Sequence, residues 1–215
     1  MRSKGNHLKK PRSEPNRFLA LLRQSLQSIS EEVFYRDERA FQGALLHELS
    51  MRLGHGVLPE DPIIQQEYQK RLRDHGIKIR PDIILHVPFE RGFAEGRDEG
   101  NVVAVELKRR ATCERAMSAF VNLVLMKKAL KYPLTVFINI DSAQTHAALC
   151  PRSIADQTVC FAVCLEDGKP AVWTEVCDRS AKKKVARVEA HISHTSPHRF
   201  RHKRNKPGGR RSGNH

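Results

Sequence analysis

The sequence predicts an α/β domain with a central mixed β-sheet flanked by helices. Short segments rich in β-branched and aliphatic residues are typical of strands, and they occur at residues 83–86, 102–108 and 134–140. Apolar residues at helical spacing, or in a long run ended by proline, predict helices at residues 17–30, 37–53 and 111–132. This order of elements is typical of proteins in which helices cover a sheet.

Charge is distributed unevenly along the chain. The 215 residues carry a net charge of +14, of which residues 179–215 contribute +11 and residues 1–16 contribute +4, leaving −1 for residues 17–178. One domain of roughly 100 to 200 residues fits the middle segment. The two ends contain few apolar residues, so they cannot build a core of their own. We predict a single domain over residues 17–178 between two disordered basic tails.

Two helices precede the first strand. Phe18, Leu22 and Leu26 lie on one face of the first helix, which is expected to begin near Arg17. The second is expected to run from about residue 37 to residue 53 and to end before Gly54. It carries Glu38 in its first turn and Glu48 ten positions later, so the two acids lie on different faces of the helix.

The next strands are expected to form a meander. Residues 62–70 predict the first strand, and a charged turn leads into the strand that follows Pro81-Asp82. The connection over residues 88–101 is rich in glycine and charge, as a hairpin connection between antiparallel strands is. This hairpin would bring Asp82 beside Glu106, near the end of the strand over residues 102–108.

The second half of the domain completes the sheet. A long apolar helix over residues 111–132 ends at Pro133, and the strand at residues 134–140 is then expected to lie parallel to its predecessor. Residues 142–149 predict a short helix. Residues 159–165 and 171–176 predict a β-hairpin around Asp167-Gly168.

An acidic and a basic side chain share one face of the central strand. Glu106 and Lys108 are two positions apart, so they project to the same side at about 7 Å along the strand. With Asp82 they form a group of two carboxylates and an ammonium beside an apolar core, which is costly unless the charges are paired or bind a metal. Mg²⁺ prefers carboxylate and carbonyl oxygens, and a lysine beside it can orient the attacking water. In a chain with 29% charged residues, ordinary solvated charges are the alternative interpretation.

These motifs resemble the PD-(D/E)XK phosphodiesterase superfamily from about Glu38 to Asp141. The matching segments, in chain order, are Glu38-Arg39-Ala40, Glu67-Tyr68, Pro81-Asp82 and Val105-Glu106-Leu107-Lys108. The resemblance implies a restriction-endonuclease-like core and hydrolysis of phosphodiester bonds. It also implies that Mg²⁺ or Mn²⁺ is held by Asp82, Glu106 and the Leu107 carbonyl. Lys108 would orient the water, and Glu38 would hold that water or a second metal.

Two acids remain open as further members of this site. Glu48 competes with Glu38 as the acid of the second helix, and the resemblance favours Glu38. Glu67 either adds a ligand or faces solvent on an edge strand. The substrate class is also open, because the chain after residue 141 lacks the Gln-rich or acidic helix motif of some branches of the superfamily.

The cysteines and the first residues of the chain indicate the cellular compartment in which we expect the protein. The five cysteines include no Cys-x-x-Cys pair, so reduced thiols in the cytoplasm are expected, with Cys160 and Cys164 as buried apolar residues rather than zinc ligands. Residues 1–16 contain no apolar run of the kind found in signal peptides or membrane spans, so no membrane association is expected.

Two functions follow. The first is a metal-dependent endonuclease, with DNA favoured over RNA, whose basic tails bind phosphates by releasing counterions. The second is a non-catalytic module of the same fold that binds nucleic acid or a protein partner. The sequence leaves a homodimer open.

Overall fold

The computed structural model describes residues 13–66, 80–88, 100–177 and 186–188, and its centre is a mixed sheet of seven strands. The strands lie across the sheet in chain order as β1 (Ile63–Gln66), β2 (Ile83–His86), β3 (Asn101–Arg109), β4 (Leu134–Ile140), β5 (Thr158–Glu166), β6 (Lys169–Val176) and β7 (Ala186–Val188). Strands β3, β4 and β5 pair in parallel, and the other neighbours pair antiparallel. The predicted α/β class with a mixed sheet is confirmed.

Helices lie on both faces of this sheet. They are α1 (Ser13–Ser28), α2 (Glu32–Tyr35), α3 (Glu38–Arg52) and α4 (Cys113–Leu130). Helices α1, α2 and α3 pack with alternate residues of the strands, such as Val105 and Leu107, in one apolar layer. Helix α4 packs with the intervening residues, such as Ala104 and Phe137, in a second layer. The alternation of side chains along each strand therefore divides the core in two.

The central strands have the pairing that the sequence predicts. Strand β2 is antiparallel to β3, with Ile83 opposite Val105, and β3 is parallel to β4, with Glu106 opposite Phe137. All seven residues of β4 are buried, as expected for a strand covered on both faces. Helix α4 supplies the crossover between the two parallel strands.

A buried asparagine ties together two segments that leave the sheet. Asn139 of β4 is fully buried. Its Oδ1 accepts a hydrogen bond of 2.9 Å from the backbone of Ala111, and its Nδ2 donates one of 2.8 Å to the carbonyl of Gln144. Neither backbone group lies in a strand ladder, so the buried amide supplies hydrogen bonds to them that the sheet does not.

Several boundaries differ from the predicted ones. Helix α1 begins at Ser13, within the segment assigned to the N-terminal tail, and β7 lies within the segment assigned to the C-terminal tail. Strand β7 pairs with the edge of β6, where backbone groups would otherwise lack strand partners. The short helix at 142–149 is reduced to a 3₁₀ turn at Ala147–Leu149.

Other predictions fall outside the described residues. The end of the first predicted strand, with Glu67-Tyr68, is one of them, and most of both basic tails is another. All five cysteines lie within the described residues, and none of them forms a disulfide bond. Cys160 is buried as predicted, whereas Cys164 is only partly buried. No helix in the described ranges is long and apolar enough to cross a membrane.

Glycine-to-alanine substitutions at two positions should change stability in opposite directions. Gly168 lies in the two-residue turn between β5 and β6 at φ +73, where a Cβ is strained, so Gly168→Ala should lower the free energy of unfolding by about 1 kcal/mol. Gly43 lies within α3 with open space where an alanine Cβ would lie, so Gly43→Ala should raise it by about 0.5–1 kcal/mol. Urea denaturation measures both, and equal signs would contradict the turn geometry.

Candidate functional site

Four charged side chains meet at the C-terminal end of β3. The Lys108 Nζ lies 3.3 Å from Glu38 Oε1, 3.4 Å from Asp82 Oδ2 and 3.7 Å from Glu106 Oε2. Since the Asp82 and Glu106 oxygens both lie within 3.7 Å of one nitrogen, they are less than twice that distance apart. Two oxygens bound to one Mg²⁺ lie at most about 4.2 Å apart, twice the Mg–O distance of about 2.1 Å, so sharing one ion requires the two carboxylates to lie closer than this limit alone ensures.

Backbone hydrogen bonds fix the positions of two of the carboxylates. Asp82 Oδ2 accepts a hydrogen bond of 2.6 Å from the backbone N–H of Leu107, which follows from the pairing of β2 with β3. Glu38 Oε2 accepts one of 3.0 Å from the backbone N–H of Arg109. Asp37 caps α3 by accepting from the Ala40 N–H, so the helix begins with Glu38 facing the strand end.

Glu106 is the most buried member of the group. Only 2% of its surface is exposed, and its Oε1 has no hydrogen-bond partner among the described residues. Burial, and then the charge of Asp82, raise the pKa of Glu106 to about 8, against the opposing effects of Lys108 and of the Asn122 side chain on α4. A buried carboxylate oxygen without a donor is costly, so this atom is suited to a cation or to a proton.

Burial and neighbouring charges also shift the pKa values of Asp82 and Lys108. Burial raises the pKa of Asp82, although Lys108 and the Leu107 N–H oppose that rise. Burial alone would lower the pKa of Lys108, but the three carboxylates outweigh it and the net shift is upward. The group therefore holds a lysine in its charged form beside two acids, Asp82 and Glu106, whose pKa values are raised.

Three arginines lie next to the group. Arg115, in the first turn of α4, lies 3.4 Å from Glu38 Oε2 and donates a 3.0 Å hydrogen bond to the carbonyl of Arg109. Arg109 and Arg110 each lie 2.8 Å from Asp141 Oδ2. The side chains of Arg110 and Arg115 are more than half exposed, so they can contact a polyanion that approaches the site.

The structure separates the two acids of α3. Glu38 contacts Lys108, whereas Glu48 forms an ion pair with Arg52 one turn away on its own helix. The Leu107 carbonyl accepts a hydrogen bond from Lys108 Nζ, so it also lies at the group. Glu67 lies outside the described residues.

Sequence reasoning missed several neighbours of these residues. The Gln42 side chain donates a hydrogen bond to the carbonyl of Asp82, and Gln42 lies one turn after Glu38 on the same helix face. That spacing is a signal that could have identified it. Asn122 and the arginines carry no such local signal, because the fold of the chain brings them to the site.

The donor chemistry fits a hard divalent cation. Carboxylate oxygens and one backbone carbonyl are the ligands that Mg²⁺ prefers, and the Glu106 Oε1 lacks any other partner among the described residues. In the part of the chain that is described, however, no three His, Cys, Asp or Glu side chains are already arranged as a metal site. The Lys108 ammonium lies between the carboxylates, so a cation would have to share their charge with it.

No family model, curated protein or solved structure matches this chain.

We expect Glu106→Gln to change how stability depends on pH. The folded-state pKa of Glu106 is above that of an unfolded glutamate, so the folded state binds more protons between about pH 4.3 and 8 and wild-type stability falls as pH rises through this window. Glutamine removes this loss. The unfolding free energy of the variant minus that of wild type should therefore increase from pH 5 to pH 8, by at most about 1.4 kcal/mol per pH unit.

Denaturation with EDTA present measures this difference, and Glu48→Gln is the matched control. Glu48 is paired with Arg52 outside the group. The unfolding free energy of Glu48→Gln minus that of wild type should therefore stay constant over the same pH range. A constant difference for Glu106→Gln would show that burial does not raise the pKa of Glu106 in the folded protein.

Proposed function

We propose that the chain is a divalent-metal-dependent nuclease of the PD-(D/E)XK type, with a restriction-endonuclease-like core, that hydrolyses phosphodiester bonds. The observation that supports this most strongly is the convergence of Glu38, Asp82 and Glu106 on Lys108. These residues come from three separated segments, and they are the residues at which the sequence resembles that superfamily. The parallel βαβ unit whose first strand carries the lysine agrees with this proposal.

Asp82, Glu106 and the carbonyl of Leu107 are the groups that would hold Mg²⁺ or Mn²⁺, with Glu38 beside them. A bound cation of this kind supplies a more acidic water and neutralises charge on the phosphate. The Leu107 N–H fixes one Asp82 oxygen, so the orientation of this carboxylate is set before any substrate binds. Such preorganisation lowers the cost of assembling the site.

Lys108 would act on the water and on the phosphate. Its ammonium can orient the attacking water and stabilise the negative charge that develops as the new P–O bond forms and the bond to the leaving sugar oxygen breaks. Glu38 contacts this ammonium at 3.3 Å and so positions it. The products would be a phosphate monoester and a free hydroxyl.

Nucleic acid is the substrate that the charges favour, and we propose DNA before RNA on the resemblance. Arg110 and Arg115 add exposed positive charge at the edge of the site. Residues 189–215 add five Arg and two Lys against one Glu. Contacts of this kind bind the phosphate backbone without reading its sequence.

A non-catalytic module that binds nucleic acid or a protein partner is the second candidate. One observation favours it: the Lys108 ammonium already contacts all three carboxylates without any metal and offsets part of their charge. A group of this kind can simply hold α3, β2 and β3 together. Metal binding and cleavage distinguish the two functions.

Substitutions at the group should separate metal binding from chemistry. Asp82→Ala and Glu106→Ala each remove an anionic ligand, so both should abolish Mg²⁺-dependent cleavage and weaken Mn²⁺ binding measured by calorimetry. Lys108→Ala should retain metal binding but reduce kcat by about 10² to 10⁴, the range expected for a positioned acid–base group. Glu38→Ala should reduce kcat similarly, because it removes the contact that holds Lys108.

Glu48→Ala is the matched control on the same helix and should cleave at the wild-type rate. The assay should include plasmid, single-stranded and branched DNA together with RNA. If wild type cleaves none of them with Mg²⁺ or Mn²⁺ and binds no metal that Asp82→Ala removes, the non-catalytic module replaces the nuclease.

Deleting residues 189–215 should weaken nucleic-acid binding and reduce its salt dependence. The deletion keeps β7 but removes positive charges whose binding releases counterions from the phosphate backbone. Fluorescence anisotropy of labelled DNA from about 50 to 200 mM salt measures the slope. Asp82→Asn in the full chain is the control and should leave the slope unchanged. An unchanged slope after deletion would remove the proposed role of the tail.

A further inference from the structure

Helix α4 has a second apolar surface on the side that faces away from the sheet. Met117, Val121 and Leu125 are 49%, 55% and 40% exposed. They are spaced by four positions, so they form one line of side chains along the helix, which we call the α4 stripe. The opposite side of the helix already packs in the second core layer through residues such as Phe120 and Leu123.

Two opposite charges continue the α4 stripe at its ends. Glu114 lies seven positions before Val121 and Lys128 lies seven positions after it, which places both within about 20° of Val121 around the helix. Both residues are exposed. No ion pair found within the described ranges uses either of them. The surface therefore has an acidic end, an apolar centre and a basic end.

This pattern is complementary to itself when one copy is reversed. Around Val121, Met117 corresponds to Leu125 and Glu114 corresponds to Lys128. Two antiparallel copies related by a two-fold axis at Val121 would place each glutamate opposite a lysine and each methionine opposite a leucine. A parallel pair would instead place like charges together.

We propose that the α4 stripe is a homodimer interface in which the α4 helices of two copies pack antiparallel about Val121. The contact gains from burying three apolar side chains of each copy and from two symmetric ion pairs at its ends. It does not depend on the proposed nuclease activity. It would nevertheless link two candidate sites, because Arg115 of the same helix contacts Glu38 and Asn122 lies beside Glu106.

The first test compares the masses of the full-length chain and of two glutamate variants by sedimentation. Wild type should reach twice the monomer mass as its concentration rises. Val121→Glu should raise the dimer dissociation constant by about 100-fold or more, because the two-fold axis buries the new charge twice. Met51→Glu is the matched control, since Met51 is 72% exposed on α3, and it should dimerise like wild type.

The second test uses the charges and distinguishes antiparallel packing from any other contact. Glu114→Lys and Lys128→Glu should each weaken self-association by about tenfold, because each puts like charges together twice. An equimolar mixture of these two single variants should form a heterodimer, because both of its end pairs join a lysine with a glutamate. The single variants themselves report the orientation. A parallel wild-type pair would already place like charges together at both ends, so neither single substitution would weaken it further. The double variant Glu114→Lys/Lys128→Glu should regain the wild-type dimer.

Circular dichroism and melting of each variant establish that it is folded. A wild type that stays monomeric at all concentrations would overturn the proposal. This is the result expected if another segment of the chain covers the α4 stripe. A dimer that is insensitive to Val121→Glu, or a double variant that does not regain the dimer, would overturn it equally.

Discussion

The contact of one ammonium with three buried or half-buried carboxylates is the interaction on which the site depends. Lys108 reaches Glu38 across 70 positions of the chain and Asp82 across 26. Without a cation among them, acids this close together at the edge of an apolar sheet would be protonated or would move apart. The relative positions of β2, β3 and α3 therefore depend on charge interactions as well as on apolar packing.

Apolar pattern and side-chain parity were enough to predict the centre of the fold. The buried strand β4, the hairpin of β2 with β3 and the shared face of Glu106 and Lys108 all follow from local sequence. Those features are set by burial and by the two-residue repeat of a strand, which short windows of sequence record. The turn at Asp167-Gly168 is equally local, since both residues have positive φ.

Features that depend on the relative placement of elements could not be predicted in this way. Arg115 and Asn122 reach the site only because α4 crosses beside the end of β3. Strand β7 has three residues, too few to show an alternating pattern, and it is defined by the edge of β6 that it pairs with. Glu38 was favoured over Glu48 by resemblance alone, and the choice became geometric only when the start of α3 was seen to face Lys108.

The buried amide of Asn139 has a consequence for how this protein can diversify. It binds the backbone of both segments that leave the parallel strands beside the site, Ala111 on one side and Gln144 on the other. Loop exchange in this region must therefore treat the two segments as one module. A graft that replaced one of them and shifted its backbone would leave one end of the buried Asn139 amide without a partner. The tip at Asp167-Gly168 on the far hairpin, in contrast, accepts insertions independently of the site.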